Sequence, residues 1–185
     1  MRSSSDPKPR DRRYTRYLEL ALKSGAQEAV LIPTRRVVTA EWVRLKCQFG
    51  CGGFGKGLCC PPITPVPSVT RRVLDEYRTG LLYTYSGADV DRSPRRRRME
   101  RVLADLERTI FLDGFYKALA LGAGPCRLCA TCDTARPCRH PYLARPAMEA
   151  CGIDVYATCR NAGLELKVVR DLADRQKYVN LILIE

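Results

Sequence analysis

Four cysteines between positions 126 and 138 constrain this chain more than any other feature. They stand in the run C-R-L-C-A-T-C-D-T-A-R-P-C-R-H, with Cys126, Cys129, Cys132 and Cys138 spaced C-x2-C-x2-C-x5-C. A C-x2-C pair lets one turn of backbone aim two thiolates at a single centre, and a third cysteine at the same step wraps the chain around it. Zinc sites usually take two cysteines from each of two loops, whereas three at x2 steps in one loop are typical of iron–sulfur clusters. The run approaches the bacterial ferredoxin pattern C-x2-C-x2-C-x3-C-P. It departs in its five-residue last spacer and in Pro137, which precedes Cys138 rather than following it. The alternative, four unrelated buried cysteines, fits this spacing poorly.

The chain has 185 residues, enough to bury a real core, and reads as a single α/β domain over residues 11–185 behind a disordered basic tail, Met1 to Arg10. Ten cysteines suggest disulfides in a short secreted protein. Met1 to Arg13 is rich in Ser, Pro and Arg and has no apolar signal-peptide core, and no apolar run reaches the length of a membrane span. A reducing cytoplasm with metal-bound thiolates fits better. The formal charge of +12, from 32 basic and 20 acidic residues, invites a nucleic-acid or acidic partner. Two considerations weaken that reading. The densest run, Arg95 to Arg98, opens a helix and reads as a solvated face, and bound clusters would offset part of the positive charge.

Tyr14, Tyr17, Leu18, Ala21 and Leu22 recur at helical steps, with Gly25 where a C-cap belongs. Ala29 to Ile32 reads as a strand stopped by Pro33. Val37 to Leu45 reads as a strand or a short helix, with Trp42 in the core or shielding a cluster. Cys47 to Pro62 then holds five glycines in sixteen residues, too many for a stable helix. This block offers Cys47, Cys51, Cys59 and Cys60. Consecutive side chains diverge, so Cys60, fixed by Pro61, is the expected ligand and Cys59 a spare. A phosphate loop is not supported, because G-x4-G-K-[ST] is absent. Further along, helices are expected from about Ser68, from Pro94 to about Asp113 with Ser93 as N-cap, over 145–150, and over 153–162 closed by Gly163. Strands are expected over 81–85, 115–121, 164–169 and 178–184, the last two as a terminal pair. These elements add up to a mixed α/β (α+β) fold: one mixed sheet of about four or five strands, flanking helices and two cysteine-rich loops.

The block K-C-Q-F-G-C-G-G-F-G-K…C-P-P (46–62), A-L-G-A-G-P-C-R-L-C-A-T-C (120–132), P-C-R-H-P (137–141) and A-R-P-A-M-E-A-C-G-I-D-V (144–155) together resemble the DUF2284 family, described as predicted metal-binding proteins. The resemblance spans roughly residues 28 to 184. It implies metal ligation by Cys47, Cys51 and Cys60 in the first block and by Cys126, Cys129, Cys132 and Cys138 in the second, with Cys59, Cys151 and Cys159 outside the pattern. It implies no particular reaction.

Seven cysteines suit more than one arrangement. A 4Fe-4S cluster needs four thiolates, which the second loop supplies alone. The first block then offers three, leaving one iron open to a substrate or a non-cysteine ligand, a site for redox or Lewis-acid chemistry. With Cys59 recruited, two closed clusters would serve electron transfer. In a further arrangement Cys138 serves the first block, as the fourth cysteine of a run serves the other cluster in two-cluster ferredoxins. Zinc would give one or two structural knots. His140, the only histidine, more often donates to a carbonyl or a sulfur than ligates. Arg127, Arg139 and Arg145 could balance cluster charge or face solvent, while Glu149 and Asp154 read as outer acceptors or as helix N-terminal charges. Cys151 and Cys159 read as small buried hydrophobes. The leading expectation is a cytoplasmic iron–sulfur protein with one or two 4Fe-4S clusters, working with a redox partner protein or enzyme and not with a membrane. The alternative is a structural zinc protein that meets a partner or nucleic acid through its basic surface. An enzyme acting at an open-iron cluster is the third reading.

Overall fold

Leu81-Leu82-Tyr83-Thr84-Tyr85 is apolar at nearly every position rather than at every second one, the pattern of a strand covered on both faces. In the computed structural model, which describes residues 12–86, 94–171 and 174–185, this segment is the middle of strand β2 (Thr79–Ser86), and all its residues but Ser86 are buried. Around it lie α1 (Arg12–Lys23), β1 (Glu28–Pro33), α2 (Glu41–Gly50), α3 (Pro67–Asp75), α4 (Pro94–Leu112), β3 (Leu119–Leu121), α5 (Val155–Ala162) and β4 (Lys177–Leu183), with 3-10 turns at Thr34–Arg36 and Glu149–Cys151. The sheet order is β1-β2-β4-β3. Within the expected mixed α/β class, the sheet itself is not mixed: all three strand pairs are antiparallel.

Side-chain alternation splits the core in two. Leu81, Tyr83, Tyr85, Ala120 and Ile182 face α1 and α4, where Tyr17, Leu103 and Ile110 meet them. Leu82, Leu121, Leu181 and Leu183 face the opposite way, against Leu74, Met148, Ile153 and Cys159. That second face carries the segments leading to and from both cysteine loops. Gly80 is required here: a Cβ would stand 2.9 Å from the Leu181 Cδ1 atom.

Several expected elements differ. Residues 164–169 form no strand, because both edges of β4 are already taken by β2 and β3; Leu164 is buried while Val168 is exposed. β4 is therefore central instead of half of a terminal pair. The strand expected over 115–121 shrinks to three residues, since Phe115 turns into the core against Tyr14 and Tyr17, with ring centroids 5.8 and 6.0 Å away. The helix expected over 145–150 is only the turn Glu149–Cys151, ended by Gly152 at φ +77°. α5 begins at Val155, with Asp154 as N-cap accepting the Ala157 N–H at 2.9 Å, and Gly163 closes it at φ +76°.

Val37 to Leu45 resolves to a helix, α2, which runs on to Gly50 and so carries Cys47, contrary to the expectation of a helix-free block. Only the later glycines break it. Trp42 neither joins the core nor shields a site: it is 46% exposed, with the Lys46 ammonium 5.5 Å from its ring centroid. The Arg95–Arg98 run is not a uniform solvated face either, because Arg96 is 3% exposed. Pro94 opens α4 as expected. The tail over residues 1–10 and the Ser93 N-cap lie outside the described residues. Among the described residues, no helix is long and apolar enough to cross a membrane.

Candidate metal centre

The first cysteine block is built on α2. Cys47 lies in its last turn and Cys51 is its C-cap. One turn before Cys47, Arg44 donates to the carbonyls of Pro62, Thr64, Pro65 and Ala150 at 3.2–3.3 Å. A single guanidinium thus ties the helix to the proline segment beyond Cys60 and to the turn at 149–151, using its fixed fork of donors. Thr64 Oγ1 adds a bond to the Ala150 carbonyl at 2.5 Å. Between the cysteines the chain closes on itself, with Gly55 N–H donating to the Pro61 carbonyl at 2.7 Å and Cys60 N–H to Gly57 at 3.0 Å. Gly53 and Gly57 lie beside the thiols, where an added Cβ would make only ordinary van der Waals contact. A Cβ at Gly53 would lie 3.5 Å from the Cys51 sulfur and 3.9 Å from that of Cys60, and one at Gly57 would lie 3.6 Å from Cys60.

The second loop leaves the sheet at β3. Gly122 receives the Met148 N–H and donates to the Pro146 carbonyl, both at 2.8 Å, so the loop's two ends are clamped together before the first cysteine. Arg127 N–H donates to Glu100 Oε1 of α4 at 2.8 Å. Backbone N–H groups point at sulfur: Leu58 at Cys132, 3.5 Å; His140 at Cys138, 3.3 Å; Leu128 at Cys126; and, in the first block, Gly53 at Cys51, 3.4 Å. The first of these joins the two blocks directly, and such N–H···S contacts stabilise thiolate charge.

The structure brings the expected ligands to one end of the sheet. Cys60 shares a cavity of about 490 Å³ with Cys59, Cys126, Cys129, Cys132 and Cys138. An adjoining cavity of about 190 Å³ is walled by Cys47, Cys59, Cys60 and Glu149. Cys51 neighbours Cys60 across Gly53. All ten cysteines are free thiols. Cys151 and Cys159 lie elsewhere, buried in the second core. Among the described residues, no three Cys, His, Asp or Glu side chains converge on one ion position. The thiols ring spaces rather than a point.

Cys59 and Cys60 both line both cavities. The thiol of Cys60 interacts with those of Cys51 and Cys47, while Cys59 hydrogen-bonds Cys126. That bond draws Cys126 below the usual thiol range and pushes Cys59 up; burial raises Cys47 and Cys60. Metal ligation therefore releases protons from thiols that burial holds neutral. Cys59, expected as a spare, stands beside Cys60 in both walls.

Sequence does not single out Arg96, and Glu149 takes a place different from either expected one. Arg96 donates to the Pro125 carbonyl at 3.4 Å, pairs with Glu100 at 3.4 Å, and stacks on Tyr178 with its guanidinium carbon 5.3 Å from the ring centroid. Its charge reaches both Cys126 and Glu149, lowering the proton affinity of each. Only its place as the third residue of α4, on the side that also buries Met99 and Leu103, separates it from its exposed neighbours Arg95 and Arg97. Glu149, read as an outer acceptor or a helix-end charge, instead puts its carboxyl against the smaller cavity. Burial pushes that carboxyl up; it accepts the Gly124 N–H, and Oε2 is buried without a partner. Of the other candidates, Arg145 pairs with Glu107, Arg139 donates to the Thr131 carbonyl at 3.0 Å, and His140 lines the larger cavity.

This donor set is dominated by sulfur, joined by one carboxylate oxygen that has no partner. Thiolates select iron–sulfur clusters, zinc and copper(I). The residues therefore fit a thiolate-held metal group. A family model described as DUF2284, predicted metal-binding protein, matches residues 30–184. No curated protein and no solved structure matches the chain.

Proposed function

The chain belongs to the DUF2284 family of predicted metal-binding proteins, and from that premise we propose that it is a cytoplasmic iron–sulfur protein that carries electrons for a partner enzyme. Cys126, Cys129, Cys132 and Cys138 hold a 4Fe-4S cluster, and Cys47, Cys51 and Cys60 provide a second, three-thiolate site. The observation that carries this reading is the cavity of about 490 Å³ walled by six thiols from both blocks. A four-iron cluster needs room between its thiolates, whereas a zinc knot draws them onto one ion. The C-x2-C-x2-C step and ten free thiols support the same reading. Bound there, the cluster supplies reversible one-electron redox chemistry.

The chain's own residues hold and tune. Arg44 and the glycines fix the first block, the Gly122 clamp fixes the second, and N–H groups of Leu58 and His140 face sulfur. The partner meets the exposed rim near Arg136 and Arg139, where a basic surface suits an acidic protein. Burial of Arg96 takes one charge out of the Arg95–Arg98 run and weakens the case for nucleic acid. Protein purified without oxygen should be brown, absorb broadly near about 400 nm and contain iron and acid-labile sulfide. Colourless protein loaded with zinc would overturn the proposal.

A further inference from the structure

We infer that Glu149 is the fourth, non-cysteine ligand of the site formed by Cys47, Cys51 and Cys60. The inference rests on the iron–sulfur reading above and goes further by assigning the one coordination position that the cysteines of the first block leave open. Glu149 opens the 3-10 turn Glu149–Cys151, where its carboxyl accepts its own backbone N–H. Its carboxyl faces the cavity it shares with Cys47, Cys59 and Cys60, and of these thiols Cys59 is engaged by Cys126.

The carboxyl is bonded by the backbone N–H groups of Glu149 itself and of Gly124; Oε2 is sealed from solvent and meets no donor. A buried carboxylate oxygen without a donor is costly and calls for a cation or a metal. Arg96 contributes charge from the far side, but its hydrogen bonds go to Pro125 and its ion pair to Glu100. The thiol of Cys47 approaches the same residue, 3.9 Å from the Glu149 carbonyl oxygen, so helix α2 delivers sulfur to the place where the turn delivers oxygen. Gly124, at φ +61°, supports the arrangement by presenting its N–H to one carboxylate oxygen and so orienting the other. Three sulfurs and one oxygen make an uneven cluster: the oxygen-bound iron is the hardest of its metals and the most easily exchanged.

The test uses full-length protein reconstituted with iron and sulfide under anaerobic conditions. Mössbauer spectroscopy of the wild type should resolve one iron subsite with mixed oxygen and sulfur donors beside sulfur-only subsites. Glu149→Gln keeps an acceptor for the Gly124 N–H but removes the anionic donor. It should lose about one iron per chain on mild oxidation and show the paramagnetic signal of a 3Fe-4S cluster. Wild-type irons that are all sulfur-bound would overturn the assignment even if the variant failed to fold. So would a Glu149→Gln protein with wild-type iron content and subsite spectrum. Absence of iron and sulfide from the wild type would instead remove the iron–sulfur reading on which the assignment stands.

Discussion

The guanidinium of Arg96 and the carbonyl of Pro125 are hydrogen-bonded at 3.4 Å, which seats a buried cation directly behind the residue that precedes Cys126. Gly124 belongs to the same contact, since a Cβ there would stand 3.4 Å from Arg96 Nη2. A fixed positive charge beside a cluster favours its more negative, reduced form. On the proposed iron–sulfur reading, replacing Arg96 with Gln should therefore lower the reduction potential of the cluster held by the second loop by on the order of 50 mV, close to a tenfold change for a one-electron couple. Arg96→Lys should recover much of that shift. Redox titration followed by EPR measures it; an unchanged potential in the Gln variant would mean that Arg96 is only structural.

Gly152 is a second point where one atom decides the outcome. Its φ is +77°, and an added Cβ would sit 2.4 Å from Pro67 Cγ and 2.8 Å from Pro67 Cβ, on a ring that cannot rotate away. Gly163 has nearly the same φ, +76°, but nothing within 4 Å. Gly163→Ala should cost about 1 kcal/mol, the conformational penalty alone. Gly152→Ala should cost about 3 kcal/mol, because overpacking adds to it. Urea unfolding of both variants separates the two terms, and equal losses would show that the Pro67 contact yields easily.

The same two kinds of information, pattern and contact, divide what could be read in the residues from what could not. β2 and β4 were legible because they are long apolar runs bounded by polar residues or a turn. The cysteine loops were legible because ligand spacing is local geometry. Residues 164–169 misled because their Leu-Glu-Leu-Lys alternation is that of a strand, yet pairing depends on which sheet edge is free, and β4 had none to offer. Trp42 misled because its size suggested burial, while its position in the first turn of α2 turns it toward solvent. Arg96 and Glu149 carry charges that sequence places on surfaces by default; only the fold reveals that each is turned toward the thiols.

Glu107 offers a test of how the second loop is held. Its Oε1 accepts the Ala120 N–H at 2.7 Å, and its Oε2 accepts Arg145 Nε at 2.6 Å. Ala120 lies in β3, before the cysteines, and Arg145 follows them, so one buried carboxylate fastens both ends of the loop. Glu107→Ala strands a buried N–H and leaves Arg145 without its ion partner, and should cost about 3 kcal/mol. Arg145→Ala leaves the Glu107 carboxylate, 9% exposed in its side chain, with only the Ala120 N–H, and should cost a similar amount, about 3 kcal/mol. The double variant should fall short of the sum by at least about 0.5 kcal/mol. Strict additivity in denaturant titrations would show that the two groups act independently.

Cys159 permits a prediction with a defined pH window. It is buried on α5 against the second core, and desolvation raises its thiol from 9.0 to about 11. A folded-state pKa above the unfolded value means that the folded protein holds the proton more tightly. The resulting stabilisation is fully present below pH 9 and is lost as pH climbs toward 11. The wild type should therefore lose on the order of 2 kcal/mol more than Cys159→Ala between pH 8 and pH 11. Tyrosines such as Tyr14, raised to about 12, titrate in both proteins and cancel in the comparison. The same burial predicts chemistry: with metal removed by chelation, iodoacetamide at pH 8 should modify the thiols that line the cavities and spare Cys151 and Cys159, because the thiolate is the nucleophile and both are shielded. Mass spectrometry of the labelled peptides decides the point, and early modification of Cys159 together with identical alkaline unfolding of the two proteins would show that α5 opens too readily for burial to control the thiol.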